Sequence, residues 1–367
     1  MTEDKPLGVY IHIPFCKAKC KYCAFVSVAD KDCERDYIAA LIAEIKGSQS
    51  VGRAVDSVYI GGGTPSCLPR GAIDDIISAA RDAFRLTQEC EITVEANPES
   101  CTASFAAECK AAGVNRISMG LQSADDKILR AIGRIHTVAD YVKAAELLAA
   151  NFDNISSDII LGLPEQTERD VKASIALVTA NCSHASVYAL NVEEGTPLYA
   201  CGYAPDDDRV ADLYDTARAL LAARGLKRYE VSNFAVSGRE SRHNNKYWNC
   251  DEYAGFGVAA HGYDGEYVRY YHSDDIADYI ETRGVCVTKL TDKDRFNEYV
   301  MLRLRTERGI DERAFKARFG FDFAQTAGEK LARSVADGTI VRANGHIAIA
   351  PDKMFVMNGI IEELMLD

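Results

Sequence analysis

Three cysteines, Cys16, Cys20 and Cys23, sit in one short stretch with the spacing C-x3-C-x2-C. Thiolates are the protein ligands of iron–sulfur clusters. Three of them from one loop can reach one cubane and leave one iron open for a small chelating molecule. The competing chemistry is a structural zinc site or unligated thiols. Structural zinc normally closes with four ligands, and the loop offers no fourth: Cys33 falls on the following predicted helix and His12 on the preceding strand. Lys17, Lys19 and Lys21 alternate with the cysteines, either as solvated side chains or as counter-charges to an anionic cluster. The other nine cysteines (Cys33, Cys67, Cys90, Cys101, Cys109, Cys182, Cys201, Cys250 and Cys286) are scattered and read as small, half-buried hydrophobes in a reducing compartment.

A ligand loop needs a rigid frame, and the first 230 residues supply the pattern for one. Short β-branched or alternating runs at 9–15, 57–61, 91–96, 116–120, 154–161 and 185–191 predict strands. Between and after them, 33–46, 71–84, 102–112, 138–150, 167–180 and 207–224 carry apolar residues at helical spacing, as in Tyr37, Leu41 and Ile45. Several of these open after Ser, Thr or Asp and close at Gly, as helix ends do. Six consecutive β–α units predict an α/β protein with a parallel sheet, a partial six-stranded (β/α) barrel; an open doubly wound sheet is the alternative. In either, chemistry belongs at the C-terminal ends of the strands. The cysteine loop follows the first strand directly.

Beyond about residue 227 the periodicity fades, and 228–290 is rich in Tyr, Asn, Gly and His. From 292 the order is helix, helix, helix, hairpin, helix, with Asn344-Gly345 as the hairpin turn. That is a winged-helix-like order. Residues 291–367 hold 12 basic and 13 acidic side chains, a balance that favours a structural or lid role over reading DNA. The expected division is a barrel over 1–230, a connecting segment over 231–290 and a smaller, mainly helical C-terminal domain over 291–367.

The chain is 47% hydrophobic and 26% charged, an ordinary globular composition. A net charge of -13 argues against nucleic acid or an anionic membrane as a partner. No apolar run approaches the ~20 residues that span a bilayer. The first residues are polar and carry no signal-peptide core, so the expected location is the cytoplasm.

The cysteine loop and the words around it are similar to a known family. Tyr10-Ile-His-Ile-Pro-Phe-Cys16, Gly61-Gly-Gly-Thr-Pro65, Glu95-Ala-Asn-Pro98, Ser118-Met-Gly-Leu-Gln122, Asp158-Ile-Ile-Leu-Gly-Leu-Pro164 and His243-Asn-Asn-Lys-Tyr-Trp248 occur in order along nearly the whole chain. They resemble the HemN/HemW family of the radical S-adenosylmethionine superfamily, which comprises oxygen-independent coproporphyrinogen dehydrogenases and haem chaperones.

The resemblance implies that Cys16, Cys20 and Cys23 hold a [4Fe–4S] cluster whose fourth iron binds S-adenosylmethionine, and that reductive cleavage yields a 5′-deoxyadenosyl radical. It implies cofactor contacts from Gly62, Gly63, Thr64, Glu95, Gln122, Arg134 and Asp158, with Tyr10, Tyr22 and the backbone of Ala189 beside them. Arg134 would pair with the methionine carboxylate. It also implies an electron donor such as a flavodoxin-type protein, and a dimer is compatible with it. Two features favour the chaperone branch. The dehydrogenases usually have a fourth cysteine two residues after the third, where this chain has Phe25. And His243-Asn-x-x-Tyr247-Trp248 resembles the word associated with haem binding, since an imidazole can ligate haem iron and aromatic rings can pack on the macrocycle. His261 is a second candidate ligand nearby. The implied function is to bind haem as cargo and pass it to an acceptor protein. The alternatives are coproporphyrinogen III decarboxylation, or another tetrapyrrole chemistry, and a zinc-containing regulator that uses the C-terminal tail.

Overall fold

The computed structural model describes residues 5–366. Six strands, β1 (Leu7–Ile13), β2 (Ala54–Gly62), β3 (Arg85–Ala96), β4 (Arg116–Gln122), β5 (Ile155–Leu161) and β6 (His184–Ala189), alternate with helices, the chief ones being Glu34–Lys46, Ala72–Ala83, Ala103–Ala111, Val138–Ala149 and Glu168–Asn181. Helix Asp207–Ala223 follows β6. Each strand pairs in parallel with its successor in sequence. The spatial order is therefore sequential, without the reversal that defines a doubly wound sheet. The expected strand 9–15 is shifted: β1 ends at Ile13 because Pro14 has no N–H to continue the ladder.

The alternation along the strands separates two faces. Val9, Ile11, Val58, Ile60, Val94 and Ile117 are almost fully buried in the main core beneath the helices. Each such side chain contributes about 1.5–3 kcal/mol by leaving water. The opposite, inner face is polar. Tyr10, Tyr59, Thr93 and Arg116 are direct neighbours across β1 to β4, and Glu95 is paired with Ser118 in the next row. Helix starts follow sequence signals: Thr137 with Asp140, Thr167 with Asp170 and Thr291 with Asp294 each form a reciprocal capping box.

The segment with little periodicity extends this sheet at both edges. Strands β7 (Lys227–Arg228) and β8 (Asn233–Ala235) continue antiparallel beyond β6. On the other side β9 (Tyr253–Phe256) is parallel to β1, followed by antiparallel β10 (His261–Tyr263), β11 (Val268–His272) and β12 (Val285–Lys289). Between them, helix Arg242–Trp248 packs against β1 and β2 on the inner face, near the N-terminal ends of the strands. Glu91 Oε1 accepts from the Arg242 amide at 2.9 Å, and Lys246 Nζ lies 2.8 Å from Asp56.

The tail consists of helices Asp292–Leu304, Glu312–Phe319, Phe323–Ala336 and Met357–Leu364 with a small sheet of β13 (Ile310–Asp311), β15 (His346–Ile349) and β14 (Ile340–Ala343), in that spatial order. Asn344 and Gly345 have φ of 53° and 77°, as a tight hairpin turn requires. Its core is aromatic, with Phe296, Tyr299, Phe319 and Phe323 ringing Phe315. Arg318 ties it to the large sheet by donating to Tyr263 Oη at 3.1 Å and to the Gly265 carbonyl at 2.6 Å. No helix among the described residues is long and apolar enough to cross a membrane.

Phe315 is fully buried, so Phe315→Ala should cost about 3–5 kcal/mol of stability in chemical denaturation. Amide exchange in β1–β5 should remain near that of the parent. A loss below about 1 kcal/mol would show that the tail does not fold around this ring.

Candidate functional site

The cysteine loop leaves β1 at Pro14 and is stitched back onto the chain. The Cys16 amide donates to the Val28 carbonyl at 2.9 Å, and the Val28 amide donates to Pro14 at 2.7 Å. His12 clamps the loop exit, with Nε2 2.9 Å from the Val26 carbonyl. Further along, the Lys21 amide donates to Ile132 and its carbonyl receives the Leu198 amide. A stretch with no secondary structure of its own is thus fixed at both ends and in the middle.

All three thiols face one cavity of about 650 Å³. Residues from the ends of β2 to β6 line it with them: Gly62, Gly63 and Thr64, then Glu95, Ser118, Gly120 and Gln122, then Asp158, Tyr188 and Ala189. For side chains of five neighbouring strands to meet at one cavity, the sheet has to be concave on this side. Gly62 has φ of 107°, and a Cβ there would lie 2.4 Å from the His12 ring; a Cβ on Gly63 would lie 2.7 Å from the Ile13 carbonyl. Only glycine lets this turn pass so close to the cysteine loop.

Polar groups converge on the sulfurs. Thr64 Oγ1 lies 3.4 Å from Cys16 Sγ and itself accepts from Asn97 Nδ2 at 2.9 Å. Arg134, almost fully buried, points Nη1 at Cys20 Sγ at 3.7 Å and gives Nη2 to Asn97 Oδ1 at 2.8 Å and to the Gly120 carbonyl at 3.0 Å. Burial pushes the Cys16 and Cys23 thiols up. Gln122 Oε1 is buried at the cavity wall without a hydrogen bond. Among the described residues no set of three His, Cys, Asp or Glu side chains converges as a single metal ion requires. Three thiols at one cavity with polar groups beside them are a donor set that fits a cubane with one open iron and a chelating ligand.

Across the floor lies Glu95. Tyr59 Oη donates to Oε1 at 2.6 Å and the Gly62 amide to Oε2 at 3.0 Å. Burial, and then the Asp158 carboxylate, push Glu95 up to about 7 against the pull of those two hydrogen bonds and of Arg116. Asp158 is itself raised, mainly by burial. The floor thus holds two carboxylates with too little positive charge, an arrangement that favours a cationic ligand.

Of the residues singled out in the sequence, the three cysteines, Tyr22, Gly62, Gly63, Thr64, Glu95, Gln122, Arg134, Asp158 and Ala189 line this cavity. Phe25 is exposed at its rim. Tyr10 stands beneath it, its ring stacked against Tyr59 and its hydroxyl 3.0 Å from His12 Nδ1. The His243 group is elsewhere. Its imidazole is buried on the inner face toward the other end of the strands, with Nδ1 3.1 Å from Ser57 Oγ and Nε2 2.8 Å from Tyr247 Oη. Burial, helped by Lys246 and Arg116, pulls it down to about 3. In this arrangement neither ring nitrogen is free for iron. Trp248 is half-buried, and His261 is exposed beside Tyr271 and shares a small cavity of about 190 Å³ with Tyr247. Sequence reasoning missed Tyr59, Asn97 and Arg116. Their signal was present: they fall in or beside the same alternating strands as residues that were chosen.

The class that this fold and thiol loop define is given by family models: residues 10–178 match the Radical SAM superfamily and residues 290–352 the HemN C-terminal domain. The Heme chaperone HemW of Lactococcus lactis is 32% identical over 99% of this chain and 98% of its own length. Escherichia coli HemW is 36% identical over 71% of each chain. The solved structure of the E. coli coproporphyrinogen III oxidase HemN superimposes with a TM-score of 0.84 over 99% of this chain and 90% of its own, at 20% identity, a likeness of fold. The chain belongs to the HemW family of radical SAM proteins.

The raised Glu95 carboxyl sets a stability test. Its folded value lies above the ordinary 4.5, so its ionised form is penalised on folding. Stability of the ligand-free protein relative to Glu95→Gln should be greatest below pH 4.5 and fall as pH rises through about 7. Denaturation of both proteins across that window measures it, and a flat difference would place Glu95 in the ordinary carboxylate range.

Proposed function

We propose that this protein is a haem chaperone on a radical S-adenosylmethionine scaffold. The observation that carries the cofactor half is the cavity itself: three thiols, the Thr64–Asn97–Arg134 chain of hydrogen bonds and the Glu95 carboxyl face one space. Cys16, Cys20 and Cys23 would ligate three irons of a [4Fe–4S] cluster. When bound, cluster and S-adenosylmethionine supply the electron and the carbon–sulfur bond it cleaves. Glu95 would receive the cationic methionyl amine beside the backbone of Gly62–Thr64, and Arg134 would meet the methionyl carboxylate. Gln122 would spend its unpaired oxygen on the ligand, with Tyr22, Asp158 and Ala189 as further walls; Tyr10 would act from beneath.

The haem half rests on the named relatives, on Phe25 where the dehydrogenases usually carry a fourth cysteine, and on the His243–Trp248 word. Ligation by His243 requires its ring to exchange Ser57 and Tyr247 for iron. The partners on this reading are haem, a haem-acceptor protein and an electron donor of flavodoxin type. The second reading, coproporphyrinogen III decarboxylation, is favoured by the HemN fold and opposed by Phe25.

Cys20→Ala should abolish the visible cluster absorbance after anaerobic reconstitution and leave the far-UV spectrum unchanged; full iron content in this variant would refute the ligand set. With the cluster intact, Glu95→Ala and Arg134→Ala should each weaken S-adenosylmethionine binding ten-fold or more, as loss of a charge-assisted contact worth roughly 1.5–3 kcal/mol predicts. Offered haem and coproporphyrinogen III side by side under anaerobic conditions with S-adenosylmethionine and reductant, the reconstituted protein should retain the haem, seen as a Soret band after gel filtration, and leave the porphyrinogen unconverted. Protoporphyrinogen among the products would give the enzyme reading precedence.

A further inference from the structure

The haem-associated helix and the cofactor cavity occupy one face of one sheet, a single layer of side chains apart. In β2, Ser57, Tyr59 and Gly61 point to the same inner face. Ser57 bonds His243 at 3.1 Å, and Tyr59 bonds Glu95 at 2.6 Å. The His243 ring lies against the Tyr59 ring, centroids 5.4 Å apart, and against Tyr10 at 6.2 Å. Tyr10 and Tyr59 stack on each other at 6.2 Å. Above Gly61 the space is already full: a Cβ there would stand 2.7 Å from both Tyr59 Cε1 and Glu95 Cδ. The phenol of Tyr59 is therefore confined by His243 on one side and by Glu95 on the other.

We infer that His243 is a positioning residue for the cofactor cavity, acting through the Tyr59 ring on the Glu95 carboxylate, so that haem ligation by His243 and S-adenosylmethionine binding are coupled. The inference rests on the proposed cofactor role of Glu95 and, for the haem coupling, on the proposed ligation by His243. Its cause is spatial. A His243 ring that turns toward iron gives up Ser57 and Tyr247 and vacates the wall against which Tyr59 is held. Tyr59 is then free to leave Glu95, which loses one of its two hydrogen-bond donors. The carboxylate becomes harder to ionise and less well aimed. The groups that face it are otherwise Asp158 on β5, Arg116 on β4, and the hydroxyls of Tyr10, Tyr188 and Tyr247. Of these only Arg116 is cationic, and Glu91 draws on the same guanidinium. Linkage is reciprocal: whatever haem does to the affinity for S-adenosylmethionine, S-adenosylmethionine does to the affinity for haem.

The test is equilibrium binding of S-adenosylmethionine to the reconstituted full-length chain between about pH 6 and pH 9, a window that brackets a carboxyl near 7. His243→Ala should weaken binding roughly three- to ten-fold, the usual size of a coupling between packed neighbours. It should also move the midpoint of the pH profile upward, with iron and sulfide content unchanged. His243→Gln, whose amide can bond both Ser57 and Tyr247, should restore both the affinity and the midpoint. Ser57→Ala, which releases the ring without emptying a large buried volume, should shift both in the same direction as His243→Ala and serves if that variant fails to fold. Haem added to the parent protein should lower its affinity for S-adenosylmethionine. Affinity and midpoint unchanged in both His243→Ala and Ser57→Ala, while Glu95→Gln loses affinity, would overturn the coupling alone. Unchanged affinity in Glu95→Gln as well would overturn the cofactor reading beneath it.

Discussion

A parallel sheet covered by helices on both sides ordinarily has two apolar faces. This sheet has one. Its outer face is packed beneath helices as a conventional core, while its inner face holds Tyr10, Ser57, Tyr59, Glu91, Glu95, Arg116, Ser118 and Asp158. Such a face cannot be closed by hydrocarbon, because unpaired buried polar groups are costly. It has to be closed by other polar groups or by a polar ligand. The lower part is closed from within, by the helix whose first amide is bonded to Glu91 and whose Lys246 meets Asp56. The upper part is left as the cavity. There Gln122 Oε1 remains without a hydrogen bond. Cofactor chemistry and helix plug answer the same constraint at opposite ends of the strands.

The cysteine loop depends on the same face. His12 and Tyr10 alternate with the apolar residues of β1, and His12 reaches out of the sheet to fix the loop at Val26. Burial lowers the affinity of this imidazole for protons, so it works as a neutral hydrogen-bonding bracket. The Cys16 and Cys23 thiols, raised by burial, would have to shed protons to hold iron. Arg134 Nη1, 3.7 Å from Cys20 Sγ, brings a positive charge to the loop.

How much of this is legible in the sequence follows from length scale. Six strands with period-two alternation and helices with capping residues declare themselves locally, and so does the C-x3-C-x2-C loop. Strands β7 to β12 do not, because runs of two to five residues such as Asn233–Ala235 and His261–Tyr263 carry too few alternations to read. Glu95 could be singled out as a carboxylate in an apolar run. The hydroxyl it needs, Tyr59, is 36 residues away and becomes a partner only through strand pairing. The His243 word shows the same limit more sharply. Its residue types suit iron and macrocycle, yet its hydrogen bonds are spent on Ser57 and Tyr247, a fact set by the long connection that returns helix Arg242–Trp248 to the first strands.

That return bears on how such a protein would hold a cargo loosely enough to give it away. A preformed haem pocket offers a bare nitrogen and retains what it binds. Here the imidazole is neutral, buried and doubly hydrogen-bonded, so each binding event would begin by breaking two contacts worth about 0.5–1.5 kcal/mol apiece. The same contacts would re-form when the cargo left and so would favour release. The cost falls on the affinity for haem and the return on the rate of delivery. Because the contacts lie against Tyr59, one side-chain layer below Glu95, the state of the cofactor cavity would bias such an exchange without any movement of the sheet. On this reading the radical scaffold would serve the cargo site through packing, by the layer of tyrosines that the two sites share.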